Sequence, residues 1–336
     1  GSKFQIILHN VPDTSQPLEP VDAKIWDIDL FDTSKTHIGN LKKRGLNVIC
    51  YFSAGTSEDW RPDYAQLKAY GSGDVCDDAK CTSKWQGERW LNIKNAKSWS
   101  VQTPTQELPP VWRVMRTRIK MAHEKGCDAI DPDNMDGFDN KNSYKLTEAD
   151  SINFIKFMAA EAAQYNMSTG LKNAIAILPK VEEYVQFAVN EECVQNKECG
   201  GYRKFLNSGK PVFHIEYTAD GTASRGGNAL YRDVGSATKK YCNPLGPTAR
   251  FSTIIKGKSL NGKYLYCDGS LPGQTKTVKV EGSGGGLNKK GGKWAEMDEA
   301  EEVSGEEAGA EVGQVHEAAE TEEHEEAWEA GSGDEV

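Results

Sequence analysis

Between Phe4 and about Ser270, short apolar runs alternate with longer stretches whose apolar residues recur every three or four positions. Runs that stay apolar until their last one or two residues fit parallel strands buried on both faces. Eight are predicted, at residues 23–31, 47–52, 89–93, 128–133, 168–173, 187–191, 211–217 and 251–255. Between them, residues 111–124 predict a helix with Val111, Met115, Ile119 and Ala122 on one face and Arg and Lys on the other. Gly126 is its expected C-cap. Thr147, with Glu148 and Asp150 behind it, predicts the start of another helix carrying Ile152, Phe154, Ile155, Met158, Ala159 and Ala162 at helical spacing. Eight strands alternating with helices predict an α/β fold closed as a (β/α)8 TIM barrel. The alternative is a doubly wound sheet, but no Gly-x-Gly-x-x-Gly follows any strand.

The pattern stops after Ser270. Residues 282–292, GSGGGLNKKGG, have the composition of a flexible linker, and from Glu296 onward the chain is mostly Glu, Ala and Gly. Such a stretch cannot bury enough surface to offset its ordering entropy. The expected organisation is therefore a barrel over residues 1–275 and a Gly-rich linker with a disordered acidic tail over 276–336. Charge changes sign with this division. Seventeen of the 50 acidic residues and none of the 40 basic ones lie in 296–336, so the rest of the chain is mildly basic although the whole carries −10. The excess is scattered, with no aromatic-interleaved basic run, which argues against nucleic acid as a partner.

Eight cysteines are present and none forms a CxxC pair. Cys76/Cys81 and Cys193/Cys199 bracket short polar loops of the kind disulfides staple in an oxidising compartment, and Cys242 and Cys267 can pair as well. Cys50 and Cys127 sit in apolar runs, where a buried thiol is at least as reasonable as a bridge. The expected location is extracellular, secreted or on the cell surface. No stretch approaches the ~20 apolar residues needed to span a bilayer. Gly1-Ser2 reads as a cloning remnant, so membrane attachment is expected only through an N-terminal anchor outside this sequence. Asn166-Met-Ser168 is a glycosylation sequon between a helix and a strand.

Polar residues crowd the ends of the predicted strands, where a parallel barrel gathers its chemistry. Asp27, Asp29 and Asp32 end one; Tyr51 and Ser53 another; Asp131, Asp133 and Asp136 a third. Lys172 and Asn173, Asn190 and Glu191, and His214, Glu216 and Tyr217 follow on the next three. Carboxylates facing each other across a cleft suit glycoside hydrolysis: one protonates the leaving oxygen while the other attacks the anomeric carbon or activates water. Trp26, Tyr51, Trp60, Trp85, Trp90 and Tyr217 offer flat faces for sugar rings, against the competing role of ordinary packing. Asp131-x-Asp133-x-x-Asp136 has some look of a calcium loop, but an EF-hand needs Gly sixth and Glu twelfth, where this chain has Asp136 and Asn142. No metal or other cofactor is expected. For Asp131 and Asp136 a structural role competes evenly with a catalytic one, and Asp27 and Asp29 can equally brace the site or react. No Gly-x-Ser-x-Gly, HExxH or P-loop occurs.

Five motifs in order, CYFSAG (50–55), GCDAIDPDNMDG (126–137), GLKN (170–173), VNEEC (189–193) and KPVFHIEY (210–217), resemble glycoside hydrolase family 114, the endo-α-1,4-polygalactosaminidases. The resemblance covers about residues 20–270. It implies a barrel hydrolase that cuts internal α-1,4 bonds in galactosamine-containing polysaccharide, such as fungal galactosaminogalactan, by a carboxylate pair and with retention. Its motif carboxylates map onto Asp133 and Glu191, assigned as nucleophile and acid/base, with Glu216 as the rival partner. Asp29, Tyr51, Asp131, Asp136, Lys172, Asn173, Glu216 and Tyr217 are the expected substrate-binding residues. The expected state is a monomer acting on polysaccharide. The rival readings are a non-catalytic polysaccharide-binding barrel and a hydrolase of another α-linked galactan or amino sugar.

Overall fold

A computed structural model of the chain describes residues 2–76, 84–95, 107–218, 234–243, 245–246 and 248–279. The acidic tail and Cys81 lie outside the described residues, and with them the expectations of tail disorder and a Cys76–Cys81 bridge.

Eight parallel strands form one curled sheet: β1 (Phe4–Ile7), β2 (Ile25–Asp29), β3 (Asn47–Ser53), β4 (Ala129–Asp133), β5 (Ser168–Lys172), β6 (Phe187–Glu191), β7 (Val212–Tyr217) and β8 (Ser252–Lys256). Each pairs with its predecessor in register; Ser53 lies opposite Asp133 and Tyr51 opposite Asp131, for example. Beyond β8 two antiparallel strands, Lys263–Tyr266 and Gly273–Gln274, extend the sheet. Side chains draw β1 back to this edge. Gln5 Nε2 donates to Thr275 Oγ1 (2.9 Å), Lys256 Nζ donates to Gln5 Oε1 (2.9 Å), and Tyr266 Oη donates to the Phe4 carbonyl (2.8 Å). The fold is the expected barrel.

One member of the expected strand set is exchanged. Residues 89–93 do not enter the barrel. Residues 89–91 instead end Lys84–Leu91, the middle strand of an antiparallel sheet with Thr56–Glu58 and Gly71–Cys76, folded from the excursion between β3 and β4. The missing barrel strand is Phe4–Ile7, whose four buried residues pair with β2. Periodicity cannot separate the two, because both are short apolar runs; the pairing partner decides.

Each strand has two faces with different partners. Trp26, Ile28, Val48, Cys50, Phe52, Ile130, Leu171 and Ala188 pack outward with the helices, while Phe4, Ile6, Ile49, Ala129, Phe187, Val189, Phe213, Ile215 and Ile254 fill the barrel interior. The helix Pro110–Lys125 buries the predicted Val111, Met115, Ile119 and Ala122, and Gly126 caps it at φ +96°. Arg118 was expected among its solvent-facing charges but is fully buried, three positions from Met115 on the same face. Its guanidinium grips both Asp63 oxygens (2.8 Å each) and the Ser53 carbonyl (2.6 Å), which makes its burial tolerable. Thr147 and Asp150 form a reciprocal capping box at the start of Glu148–Ala163.

Disulfides join Cys193 to Cys199 and Cys242 to Cys267, as the spacing suggested. Cys50 and Cys127 are also bridged rather than free. Outward-facing Cys50 on β3 meets Cys127 just before the neighbouring β4, a proximity that sequence spacing does not reveal. The two form a link buried in the outer core. Asn166 is exposed, in a left-handed turn before β5, at the end of the barrel opposite the strand termini described next.

Candidate active site

Side-chain alternation along a strand decides which termini reach the cleft. On β4, Ala129 is interior and Ile130 exterior, so Asp131 and Asp133 point inward; on β6, Val189 places Glu191 inward. Lys172 follows exterior Leu171 on β5 and is inward too. These three converge. The Lys172 ammonium, 2% exposed, lies 3.3 Å from Asp133 Oδ1 and 3.2 Å from Glu191 Oε2. Tyr51 Oη donates to Asp133 Oδ2 (2.8 Å), and its ring lies 5.6 Å from the same ammonium. Tyr217 Oη donates to Glu191 Oε1, and Asn173 Nδ2 to Glu191 Oε2 (3.2 Å). Asn173 Oδ1 also accepts the Glu191 backbone N–H (2.8 Å), tying strand five to strand six at Glu191.

Backbone geometry sharpens these termini. Asn134, Asn173, Ala174 and Glu192, each just past a strand end, adopt φ between +47° and +63°. Left-handed non-glycine residues cost of order 1–3 kcal/mol and persist where surroundings over-determine them. Here the surroundings are explicit. The Asp133 carbonyl accepts the N–H groups of Ala54 (2.9 Å) and Gly55 (3.0 Å), and Asn134 Nδ2 donates to Ser53 Oγ (2.9 Å) and Thr56 Oγ1 (3.1 Å). Gly55 is required, since a Cβ there would stand 1.7 Å from the Asn134 carbonyl oxygen.

The electrostatics follow from one buried cation between anions. Burial would discharge Lys172, yet Asp133, Glu191 and Asp131 hold its ammonium well above the usual lysine range. Burial would raise Glu191, but the Lys172 charge and the hydrogen bonds from Tyr217, Asn173 and Lys172 outweigh it and hold the carboxyl below its usual range. Tyr51 and Tyr217 are pushed well up by burial and by the carboxylate each one touches, so both stay as hydroxyl donors. Asp136, half-buried on the loop after β4, is raised to about 6 by burial and the charge of Asp133.

Other predicted residues are placed elsewhere. Glu216 is not brought to the cleft. Phe213, Ile215 and Tyr217 take the inward positions of β7, so Glu216 points outward, fully buried, with His214 Nε2 at 2.9 Å and the Val194 N–H donating to it (2.7 Å). Asp29 is inward but occupied: both oxygens receive Arg61 (3.0 and 2.6 Å), and Oδ1 also takes the Phe31 and Asp32 N–H groups. Asp131 has no exposed surface and lies one inward position below Asp133 on β4. Trp26 and Trp90 are core residues, whereas Trp85 is 42% exposed on the excursion sheet. The sulfurs of Cys193 and Cys199 lie near His214, but they are bonded to each other and offer no thiolate to a metal.

Glu88 was not anticipated. It stands directly across the excursion sheet from Glu58, accepts from Thr56 Oγ1 (3.2 Å), and is raised to about 8 by burial and by the charges of Glu58 and Asp133. Its segment reads as ordinary polar sequence until the excursion folds back over β3 and β4.

Comparison with known proteins identifies the fold and the family. Aspergillus fumigatus Ega3, solved in complex with galactosamine, is 43% identical and superposes with a TM-score of 0.67 over 80% of this chain and 95% of that one. The glycoside hydrolase domain of PelA from Pseudomonas aeruginosa is 13% identical with a TM-score of 0.52, over 77% of this chain and 96% of that one, a likeness of fold alone. Among curated protein sequences none matches. The profile of glycoside-hydrolase family GH114 matches residues 1–272, most of the chain, and on that match and the identity to Ega3 this protein is a glycoside hydrolase belonging to family GH114.

Proposed function

We propose that the enzyme cleaves internal α-1,4 bonds in galactosamine-containing polysaccharide by double displacement, with Asp133 as nucleophile and Glu191 as acid/base. The observation that carries the pair is the shared Lys172 ammonium. Two oxygens within 3.3 and 3.2 Å of one nitrogen are at most about 6.5 Å apart, which favours the short carboxyl separation of retaining enzymes over the longer one of inverting enzymes. The galactosamine bound by Ega3 supports the substrate class.

In the first half-reaction protonated Glu191 gives its proton to the glycosidic oxygen while ionised Asp133 bonds to the anomeric carbon. In the second, Glu191 takes a proton from water, which attacks that carbon and releases Asp133. Tyr51 and the Asn134 N–H (2.8 Å to Asp133 Oδ1) fix the nucleophile's two oxygens, leaving only small motions before attack. Because Glu191 is held below its usual range in the free site, its proton-bearing form is populated at acid pH, and the enzyme's optimum belongs there. Three disulfides support passage through an oxidising compartment and an extracellular site of action.

Anomeric configuration of azide-rescue products tests the roles. With an activated α-linked aryl oligogalactosaminide, Asp133→Ala plus azide should yield the β-glycosyl azide, and Glu191→Ala plus azide the α-glycosyl azide. Exchange of the two anomers would reverse the roles. Near-wild-type release of reducing ends by both variants without azide would remove the pair altogether, and saturable polysaccharide binding without cleavage by the unmodified protein would leave a binding barrel.

A further inference from the structure

Beneath the reacting layer lie two carboxyl groups that the mechanism above does not use. Asp27 on β2 and Asp131 on β4 are 1% and 0% exposed, and none of their four oxygens meets a hydrogen-bond donor among the described residues. Both point into the barrel, where the surrounding inward positions (Ile6, Ile49, Ala129, Val189, Ile215 and Ile254) are apolar. The groups that face them are few. Asp27 faces Asp131, Lys172 and Asp133; Asp131 faces Asp27, Lys172, Asp133 and Glu191. Two adjacent carboxylates in such a setting resist ionising together, because the apolar layer around them does not offset the second charge.

We propose that Asp27 and Asp131 form a buried, hydrogen-bonded carboxyl pair that always retains a proton, and that they act as positioning residues holding the Lys172 ammonium between Asp133 and Glu191. The inference rests on the catalytic reading above for its activity readout, but not for its proton count. Asp27 is the donor and Asp131 the acceptor nearer Lys172: burial and the Asp131 charge push Asp27 well up, while Asp131 reaches only about 7, burial being opposed first by Lys172. Above about pH 7 Asp131 ionises and supplies a third anion under the ammonium, whereas at acid pH it stays neutral. Asp27 keeps that anion from standing unpaired in an apolar layer.

The arrangement predicts an asymmetry that simple packing would not produce. Asp27→Asn retains a donor of the same shape toward Asp131, so kcat should stay within about threefold of wild type. Asp131→Asn removes the anion under Lys172. Above about pH 7 its kcat should fall about tenfold or more with KM little changed, with only a small loss at acid pH, and the alkaline limb of kcat/KM should move, since Lys172 is then shared by two anions instead of three. Equal losses in the two variants, or an unmoved pH profile in Asp131→Asn, would overturn the proposal.

A second measurement needs no activity. Asp27 has a folded pKa raised above its unfolded value, so its contribution is fully present below the unfolded pKa and is lost as pH rises. Asp27→Asn removes that loss, and its thermal midpoint should gain on wild type progressively between pH 5 and pH 8. A midpoint difference that stays flat over that range would refute the retained proton even if Asp131→Asn fails to fold, and would do so whether or not Asp133 and Glu191 have the roles assigned to them.

Discussion

Replacing Lys172 by Met tests the electrostatic core of the site most directly. The ammonium is 2% exposed and lies 3.3 and 3.2 Å from the two carboxylates. At an effective dielectric of about 20, each contact is worth about 5 kcal/mol of Coulomb energy before desolvation is subtracted. Part of this survives relaxation and the water that reaches the part-exposed carboxylates, so loss of the cation raises the Glu191 pKa. The sign is fixed. Glu191 sits low because Lys172, Tyr217 and Asn173 outweigh burial; with the cation gone, burial and the Asp133 charge act together and raise it. The alkaline limb of kcat/KM, which reports loss of the Glu191 proton, therefore moves to higher pH. Peak kcat should fall about a hundredfold, the scale of losing sub-ångström placement of reacting groups. Removing one partner of a buried ion cluster should also cost about 3–5 kcal/mol of stability. Because Lys172 holds the Glu191 carboxyl below its usual range, that loss should be largest near neutral pH and shrink as the carboxylates protonate toward acid pH. Reducing-end release from a de-N-acetylated oligosaccharide across pH 3–8, with a thermal melt of each protein, gives both readouts. An alkaline limb that stays in place or moves toward acid would refute the reasoning.

Two further outcomes follow from side-chain direction and from covalent topology. Glu216→Gln should keep kcat/KM within about threefold of wild type while lowering thermal stability, because the carboxylate bonds to His214 and the Val194 N–H outside the barrel; a hundredfold loss of kcat at an unchanged melting point would return Glu216 to the reacting pair. Replacing Cys50 and Cys127 together by Ala opens a link 77 residues apart in sequence, which the chain-entropy estimate values at about 4.5 kcal/mol, against about 2 kcal/mol for the six-residue Cys193–Cys199 loop. Denaturant midpoints of the two double variants should therefore rank in that order, and a larger loss from Cys193/Cys199 would contradict it.

The sequence by itself determined most of the frame. Hydrophobic periodicity located the helices beginning at Pro110 and Glu148 and seven of the eight barrel strands, and turn chemistry marked Gly126 and Thr147 as their caps, because these depend on contacts within a few residues. It also put Asp133, Lys172, Glu191 and Tyr217 at strand ends, where a parallel barrel gathers its chemistry. Tertiary structure alone decided what depended on distant partners. Phe4–Ile7 is a barrel strand and residues 89–93 are not, since only pairing with β2 separates two equally apolar runs. Cys50 meets Cys127 because β3 and β4 are neighbours despite 77 intervening residues. Glu216 and Tyr217 are adjacent in the chain, yet a strand sends successive side chains to opposite faces, so one binds His214 behind the barrel and the other reaches Glu191 inside it. The same three-dimensional closeness converts Asp29 into a partner of Arg61, lifts Glu88 to about 8, and buries Asp27 and Asp131 with no donor among the described residues. Burial and charge proximity are properties of the folded arrangement. Residue type and spacing name the carboxylates, but only packing assigns each one its charge.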